Sequence, residues 1–294
     1  VKYRFIKDHT GIFRAEKMCR TFSVSPAGYY SWKRSEPSIR QRENERLLFR
    51  IQVIHNESRK TYGSPRVTAM LRLDGLFYGK NRVAHLMKDN GIKAIGKRKY
   101  KVTTNSRHSL PVAENLLADG IVATQPDQVG VADITYIATG EGWLYLATVL
   151  DAYSRRVVGW SMADHIRKEL VIDAIEQAIM KRNPSPDLIH HSDRGVQYAS
   201  HKYRELLSSH NMRCSMSGKG NCYDNATMES FYGSLKSELV YRCMFRTRKE
   251  AISAIFEYIE AFYNRRRLHS SLSYLSPAEF EKRHYQSQLL KKAA

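Results

Sequence analysis

Long apolar runs are missing from this 294-residue chain. No stretch reaches the roughly 18 apolar residues of a membrane span, so no membrane helix is expected. The first residues, Val1-Lys2-Tyr3-Arg4-Phe5, lack the apolar core of a signal peptide. Cysteine is scarce: Cys19, Cys214, Cys222 and Cys243 form no C-x-x-C pair. No paired Cys and His spacing reads as a zinc site, and a disulfide framework is equally unsupported. A reduced, cytoplasmic setting is expected. Sustained heptads, internal repeats and low-complexity segments are also absent, which argues against a coiled coil or a solenoid. What remains is a chain long enough for two or more domains, with 42% apolar residues to build cores.

The charge is lopsided. The whole chain carries 48 Lys and Arg against 29 Asp and Glu, a net of +19. Residues 1–110 hold 25 of the basic and 8 of the acidic residues, a net of +17, which leaves +2 for the rest. A basic region beside a nearly neutral one suggests a phosphate-binding arm on a separate domain, and nucleic acid as partner.

The basic third reads as helical. Residues 12–22 form one short helix, with Phe13, Met18 and Phe22 as expected apolar contacts. Ser25 can cap, and Pro26 can open, a second helix toward Tyr29, Tyr30 and Trp32. This pair fits a helix-turn-helix and fits equally a small helical pair with no groove contact. Residues 39–56 read as a longer helix with Leu47, Leu48, Ile51 and Ile54 on one side. After Tyr62-Gly63-Ser64-Pro65-Arg66, a turn with cap and proline, comes a helix with Val67, Met70 and Leu71. Asn81 to Asn90 form another, stopped by Gly91. Residues 93–112 are polar and basic; Lys97, Arg98, Lys99 and Lys101 are read as lying along DNA, with a solvated linker as the alternative.

From Val129 the pattern turns to strands: Val129–Ala138, Trp143–Asp151 after a Thr139-Gly140-Glu141-Gly142 turn, and Arg156–Ala163. A helix over Glu169–Lys181, a strand over Leu188–His191, a helix over His201–His210, a strand over Arg213–Ser217 and a helix over Ala226–Val240 follow. A single helix is expected over Arg248–Arg266, with Ile252, Ile255, Ile259 and Phe262 inward.

Three acidic residues carry chemistry. Asp133 lies mid-strand, between Val131-Ala132 and Ile134-Thr135-Tyr136. Asp193 follows a strand, in His191-Ser192-Asp193-Arg194-Gly195, and Glu229 sits early in a helix, in Met228-Glu229-Ser230-Phe231. An unpaired charge in the apolar company of Asp133 is costly. Carboxylates suit hard cations, and a pair of Mg²⁺ or Mn²⁺ ions can drive phosphoryl transfer. On the last of these helices Glu229, Gly233 and Lys236 share a face, so a backbone phosphate can approach Lys236. Asp151 reads as a turn holder through Ser154 or Arg155, and Asp224 or Asn225 as a helix cap. His191 either positions a water or phosphate near Asp193 or packs at the strand end.

The order and flanks of Asp133, Asp193 and Glu229, with 59 and 35 residues between them, resemble the DDE transposases and integrases. Within these, the chain is most similar to the catalytic reading frame of bacterial insertion sequences of the IS-three type. Ser25-Pro26-Ala27-Gly28-Tyr29-Tyr30-Ser31-Trp32, Tyr62-Gly63-Ser64-Pro65-Arg66 and Tyr263-Asn264-Arg265-Arg266-Arg267-Leu268-His269 carry the resemblance beyond the triad. It implies an α/β ribonuclease-H-like core, a five-stranded mixed sheet with flanking helices, behind a basic helical region. The expected division is a helical DNA-binding region over 1–92, a basic linker over 93–122, the core over 123–242 and a C-terminal helical segment over 243–294.

The resemblance further implies strand cleavage and strand transfer on element ends and target DNA, with two metal ions held by Asp133, Asp193 and Glu229. A homo-oligomer on DNA is implied, as is nucleoid association in a bacterium. So is an upstream-frame partner protein with a helix-turn-helix, this chain being the downstream product. A simple nuclease and a non-catalytic regulator of transposition are the alternatives. Two departures stand out. The zinc-binding His-His-Cys-Cys pattern that opens retroviral integrases is absent. Gly130 stands where the family usually has Trp, and glycine is expected to weaken the strand.

Overall fold

The computed structural model describes residues 1–95, 111–118, 122–218 and 226–293. Lys97, Arg98, Lys99, Lys101 and the capping candidates Asp224 and Asn225 lie outside them.

The chain opens with α1 (Lys2–Asp8), α2 (Ala15–Thr21) and α3 (Pro26–Arg34). These close a small core of Ile6, Met18, Cys19 and Tyr29. Ser25 caps α3 as expected, its hydroxyl accepting from the Gly28 amide at 3.3 Å. α1 has no counterpart in the sequence reading, because Ile6 alone marks its buried side. Phe13 is a correction: it precedes α2 and is 56% exposed. A second helical unit, α4 (Ile39–Glu57), α5 (Ser64–Leu73) and α6 (Lys80–Asp89), buries Leu47, Ile51, Ile54, Val67, Leu71 and Val83. Ser64 does not cap α5. Gly63 takes that position, and the Ser64 carbonyl instead accepts from Thr68.

The sheet contains β1 (Val129–Thr139), β2 (Gly142–Asp151), β3 (Val157–Ala163), β4 (Ile189–Ser192) and β5 (Arg213–Met216), in spatial order β3-β2-β1-β4-β5. β1 and β2, and β2 and β3, pair antiparallel. β4 lies parallel to both β1 and β5. Helices cover both faces. α7 (Lys168–Arg182) and α8 (His201–Ser209) pack on Ala132, Ala147, Val149 and Val158. α9 (Ala226–Glu238) and α10 (Arg248–Phe256) pack on Val129, Val131, Ile137, Leu144 and Leu146. The two-residue alternation of β1 and β2 thus feeds two cores. This is the five-stranded mixed sheet of the ribonuclease-H-like fold.

The helix expected over 248–266 is interrupted. α10 passes into a π-helical turn over Glu257–Tyr263, which moves the buried side. Ala251, Tyr258 and Tyr263 join Ile255, Ile259 and Phe262 in the core, while Ile252 is 37% exposed. The turn delivers Asn264 to β3, where its side-chain amide accepts from the Val157 N–H and donates to the Val157 carbonyl, both at 3.0 Å. The long last helix, α11 (Pro277–Ala293), returns Glu281 to the β2–β3 turn. Asp151 holds that turn, its carboxylate accepting from the Ser154 amide and hydroxyl at 2.7 Å each.

The basic helical unit docks on the end of the core. The Tyr62 hydroxyl accepts from the Leu268 amide at 2.7 Å. Arg59 lies over the Tyr258 and Phe262 rings and pairs with Glu257 at 2.7 Å.

Gly130 does not break β1, which pairs with Asp151 on one side and His190 on the other. A cavity of about 20 Å³ beside it is lined by Val149, Val158, Ile175 and Leu188. That void cannot take an indole, so the surrounding core has closed around glycine. A single methyl fits: a Cβ would meet His190, Leu188 and Val149 at 3.5–3.8 Å. Gly130→Ala should therefore stabilise the fold by about 0.5–1 kcal/mol, the usual cost of strand glycine relative to alanine. Urea denaturation checks this. A lowered midpoint would mean that the strand rejects even a methyl.

Candidate active site

The register of the sheet brings two of the three acids together. Ala132 of β1 is paired with Ser192 of the parallel strand β4. Asp133 and Asp193 are the next residues on each strand, at neighbouring positions where β4 ends. Asp193 uses one carboxylate oxygen to accept from the Gly195 amide at 2.9 Å, which fixes the turn after the strand. Asp133 accepts from the Ile134 amide at 2.7 Å.

Cross-strand pairing also fixes the direction of Asp133. It lies opposite Thr148 of β2, and directly opposed residues leave a sheet on the same face. The Thr148 hydroxyl meets Tyr232 of α9 at 2.7 Å, so Asp133 also leaves toward α9. That helix carries Glu229 in its first turn. Glu229 is exposed, whereas Met228, Phe231 and Leu235 are buried against the sheet as their spacing predicts. Gly233 has no atom within 4 Å of where a Cβ would stand, leaving the face between Glu229 and Lys236 open.

The electrostatics of Asp133 reflect both its burial and its acidic neighbours. Burial, then the charge of Asp193 and also that of Glu229, push the Asp133 carboxyl up to about 8, against the Ile134 amide and Lys236. Like charges this near one another disfavour ionisation unless a cation joins them. Among the described residues no three His, Cys, Asp or Glu side chains close into a ready-made cluster. The donor set is carboxylate oxygen only, which fits hard divalent cations such as Mg²⁺ or Mn²⁺.

This shift has a testable consequence for the metal-free protein. An unfolded aspartate ionises near pH 3.9, well below the folded value of about 8. The stability gained by keeping Asp133 protonated is full below about pH 4 and is lost as pH rises through about 8. Thermal melting in chelator should fall across that window more steeply for wild type than for Asp133→Asn. Parallel profiles would contradict the shift.

Lys236 is not on open surface. It is 6% exposed, with its ammonium 5.0 Å from the Tyr136 ring centroid. Burial lowers its pKa and the Asp133 carboxylate opposes that. Its position on the Glu229 face is as expected, and there it lies against an aromatic ring rather than standing in solvent. His191 packs: it is fully buried with Nδ1 2.9 Å from the Ser215 hydroxyl.

Two features escaped the sequence reading. One is Tyr232, whose hydroxyl bonds Asp133 and Thr148. A tyrosine among the buried positions of an apolar helix face is the signal, because its hydroxyl must find a partner. The other is the buried pair of Arg267 and Glu238 at 2.7 Å, joined by Ser234 and Tyr258. It ties α9 to the segment after the π-helical turn.

Families described as Integrase core domain match residues 123–222 and 229–285. A family described as HTH-like domain matches residues 42–100, which takes in α4–α6 rather than the α2–α3 pair. The chain is 48% identical over 269 residues to the "Insertion element IS600 uncharacterized 31 kDa protein" of Shigella sonnei, covering 92% of this chain and 99% of that one. It is 41% identical over 283 residues to "Transposase InsF for insertion sequence IS3A" of Escherichia coli (strain K12), covering 96% and 98%. Among solved structures, the HTLV-2 integrase catalytic core domain in complex with magnesium shares 17% identity at a TM-score of 0.43, over 54% of this chain and 98% of that one.

Proposed function

The chain belongs to the insertion-sequence transposases of the IS3 type, and we propose that Asp133, Asp193 and Glu229 hold two divalent cations at which it cuts and joins DNA strands. It is a transposase with an integrase core, an enzyme of the polynucleotidyl transferase class. The reaction we assign is cleavage of one strand at each element end, then attack of the freed 3′ hydroxyl on a target phosphate. The observation that carries the site is the parallel register of β1 and β4, in which Ala132 pairs with Ser192 and so sets Asp133 beside Asp193.

In this reading Asp133 would be the ligand shared by the cations. Asp193 and Glu229 would each help to hold one of them. Bound divalent cations supply activation of the attacking oxygen and stabilisation of the leaving one. The protein fixes the carboxylates on two strands and a helix, and the open Gly233 face admits a DNA strand. Lys236, leaving Tyr136, is read as the contact for a phosphate of the DNA end. No helix among the described residues is long and apolar enough to cross a membrane. We further propose a homo-oligomer on DNA, an upstream-frame partner with its own helix-turn-helix, and association with the nucleoid.

Lys97, Arg98, Lys99 and Lys101 are proposed to follow the DNA backbone. Changing all four to Ala should reduce the slope of log affinity against log salt by about 0.9 for each phosphate that is no longer neutralised. An unchanged slope would remove them from the interface.

The defining experiment incubates the protein with labelled element ends, target DNA and Mg²⁺ or Mn²⁺. A strand-joined product is expected. Hydrolysis without joining would assign a nuclease instead, and binding without either would assign a regulator.

A further inference from the structure

The Tyr232 hydroxyl stands between the two elements that carry the ends of the acidic triad. It donates to the main-chain carbonyl of Asp133 at 2.6 Å, with the Leu146 carbonyl a more distant acceptor at 3.4 Å. Its single proton is thereby used, so at 2.7 Å it accepts from the Thr148 hydroxyl. Thr148 is fully buried and is the cross-strand partner of Asp133. One hydroxyl thus grips the Asp133 backbone and the strand beside it. On α9, Tyr232 lies three residues beyond Glu229, nearly one turn along the same helix.

Tyr232 itself is 3% exposed, and its ring contacts Phe231. The ring alone would hold α9 against the sheet, since Met228, Phe231 and Leu235 already pack there. Apolar packing is non-directional and tolerates small sliding. A hydrogen bond to one carbonyl does not: it fixes the position of the helix along β1. Glu229 is exposed and owes its placement to the helix that bears it, so that position sets its distance from Asp133.

We infer that Tyr232 is a positioning residue for the metal centre: its hydroxyl locks α9 onto the Asp133 backbone and so sets the spacing between Asp133 and Glu229. The inference rests on the triad reading above. Its consequence is selectivity among cations. Mg²⁺ demands near-ideal octahedral geometry at short distances, whereas Ca²⁺ accepts flexible coordination. A loosened Glu229 therefore penalises Mg²⁺ more than Ca²⁺.

The test is calorimetric titration of the full chain with Mg²⁺ alone and with Ca²⁺ alone. Tyr232→Phe keeps the ring and removes the hydroxyl. It should weaken Mg²⁺ binding roughly tenfold or more, the usual effect of removing a group that orients a ligand, and weaken Ca²⁺ binding less. Tyr258→Phe removes another buried hydroxyl, one bonded to Glu238 at 2.8 Å, and should leave the Mg²⁺ to Ca²⁺ ratio unchanged. Thr148→Val guards against misfolding of the first variant, and it should shift the ratio in the same direction by less. If Tyr232→Phe binds Mg²⁺ like wild type while Asp193→Asn does not, the positioning role is overturned and the triad stands. If wild type binds Mg²⁺ no better than Asp193→Asn, the triad falls and the inference with it.

Discussion

Asp193→Asn is expected to reduce strand cleavage and joining by a factor on the order of 10³ while leaving DNA binding largely intact. The change preserves side-chain shape and the acceptor for the Gly195 amide, which lies 2.9 Å from Asp193 Oδ1. It removes the negative charge that a divalent cation needs. A metal acting on attacking and leaving oxygens is worth several kcal/mol, and each ~1.4 kcal/mol is tenfold in rate. Binding should persist because phosphate contacts belong mainly to Lys and Arg. Glu229→Gln should behave in the same way. Gel analysis of labelled ends, beside a binding isotherm, separates the two effects. An Asp193→Asn protein that joins strands at the wild-type rate would return the chain to the regulatory reading.

The second large effect is on stability. Arg267→Met should cost about 3–5 kcal/mol, a large part of the roughly 5–15 kcal/mol that holds a typical domain. Arg267 is 2% exposed and donates to both Glu238 oxygens, at 2.7 and 2.9 Å, and to the Ser234 hydroxyl at 3.0 Å. Burial alone would raise the Glu238 carboxyl, but the Arg267 guanidinium and the Tyr258 hydroxyl hold it below its ordinary value. Removing the arginine leaves that carboxylate charged, buried and short of a partner. The double variant Arg267→Met with Glu238→Leu should recover most of the loss, because it removes the stranded charge as well. Urea titration of the three proteins measures this. A single variant within about 1 kcal/mol of wild type would show that Arg267 is not what neutralises Glu238.

Much of this architecture was legible because it follows short-range rules. The alternation in β1 separates Val129, Val131 and Ile137 from Ala132 and Ile134, and the two sets enter different cores. Ser25-Pro26 caps and opens α3, and Asp151 holds its turn through Ser154, as their local chemistry dictates. What stayed hidden depends on distant partners or on subtle backbone geometry. The i, i+3 and i+7 spacing of Ile252, Ile255 and Ile259 does not distinguish an α-helix from one that passes into a π-turn at Glu257. Arg267 and Glu238 are 29 residues apart, and their pairing depends on that turn.

The three candidate acids stand out in the sequence by their spacing and flanks, but that spacing does not say which of them are neighbours. Asp133 beside Asp193 follows from the pairing of Ala132 with Ser192, which no local pattern contains. Lys236 shows the limit of helical-wheel reasoning. Its face was foreseeable, but its burial against Tyr136 depends on how α9 lies across the end of β1.

Locating manganese directly tests the central claim. Crystals of the protein soaked in Mn²⁺, with data collected at the manganese absorption edge, should show two anomalous peaks among the carboxylates of Asp133, Asp193 and Glu229, and none there in Asp193→Asn. Peaks confined to other sites in a well-ordered wild-type crystal would contradict the assignment of these three residues as the metal centre.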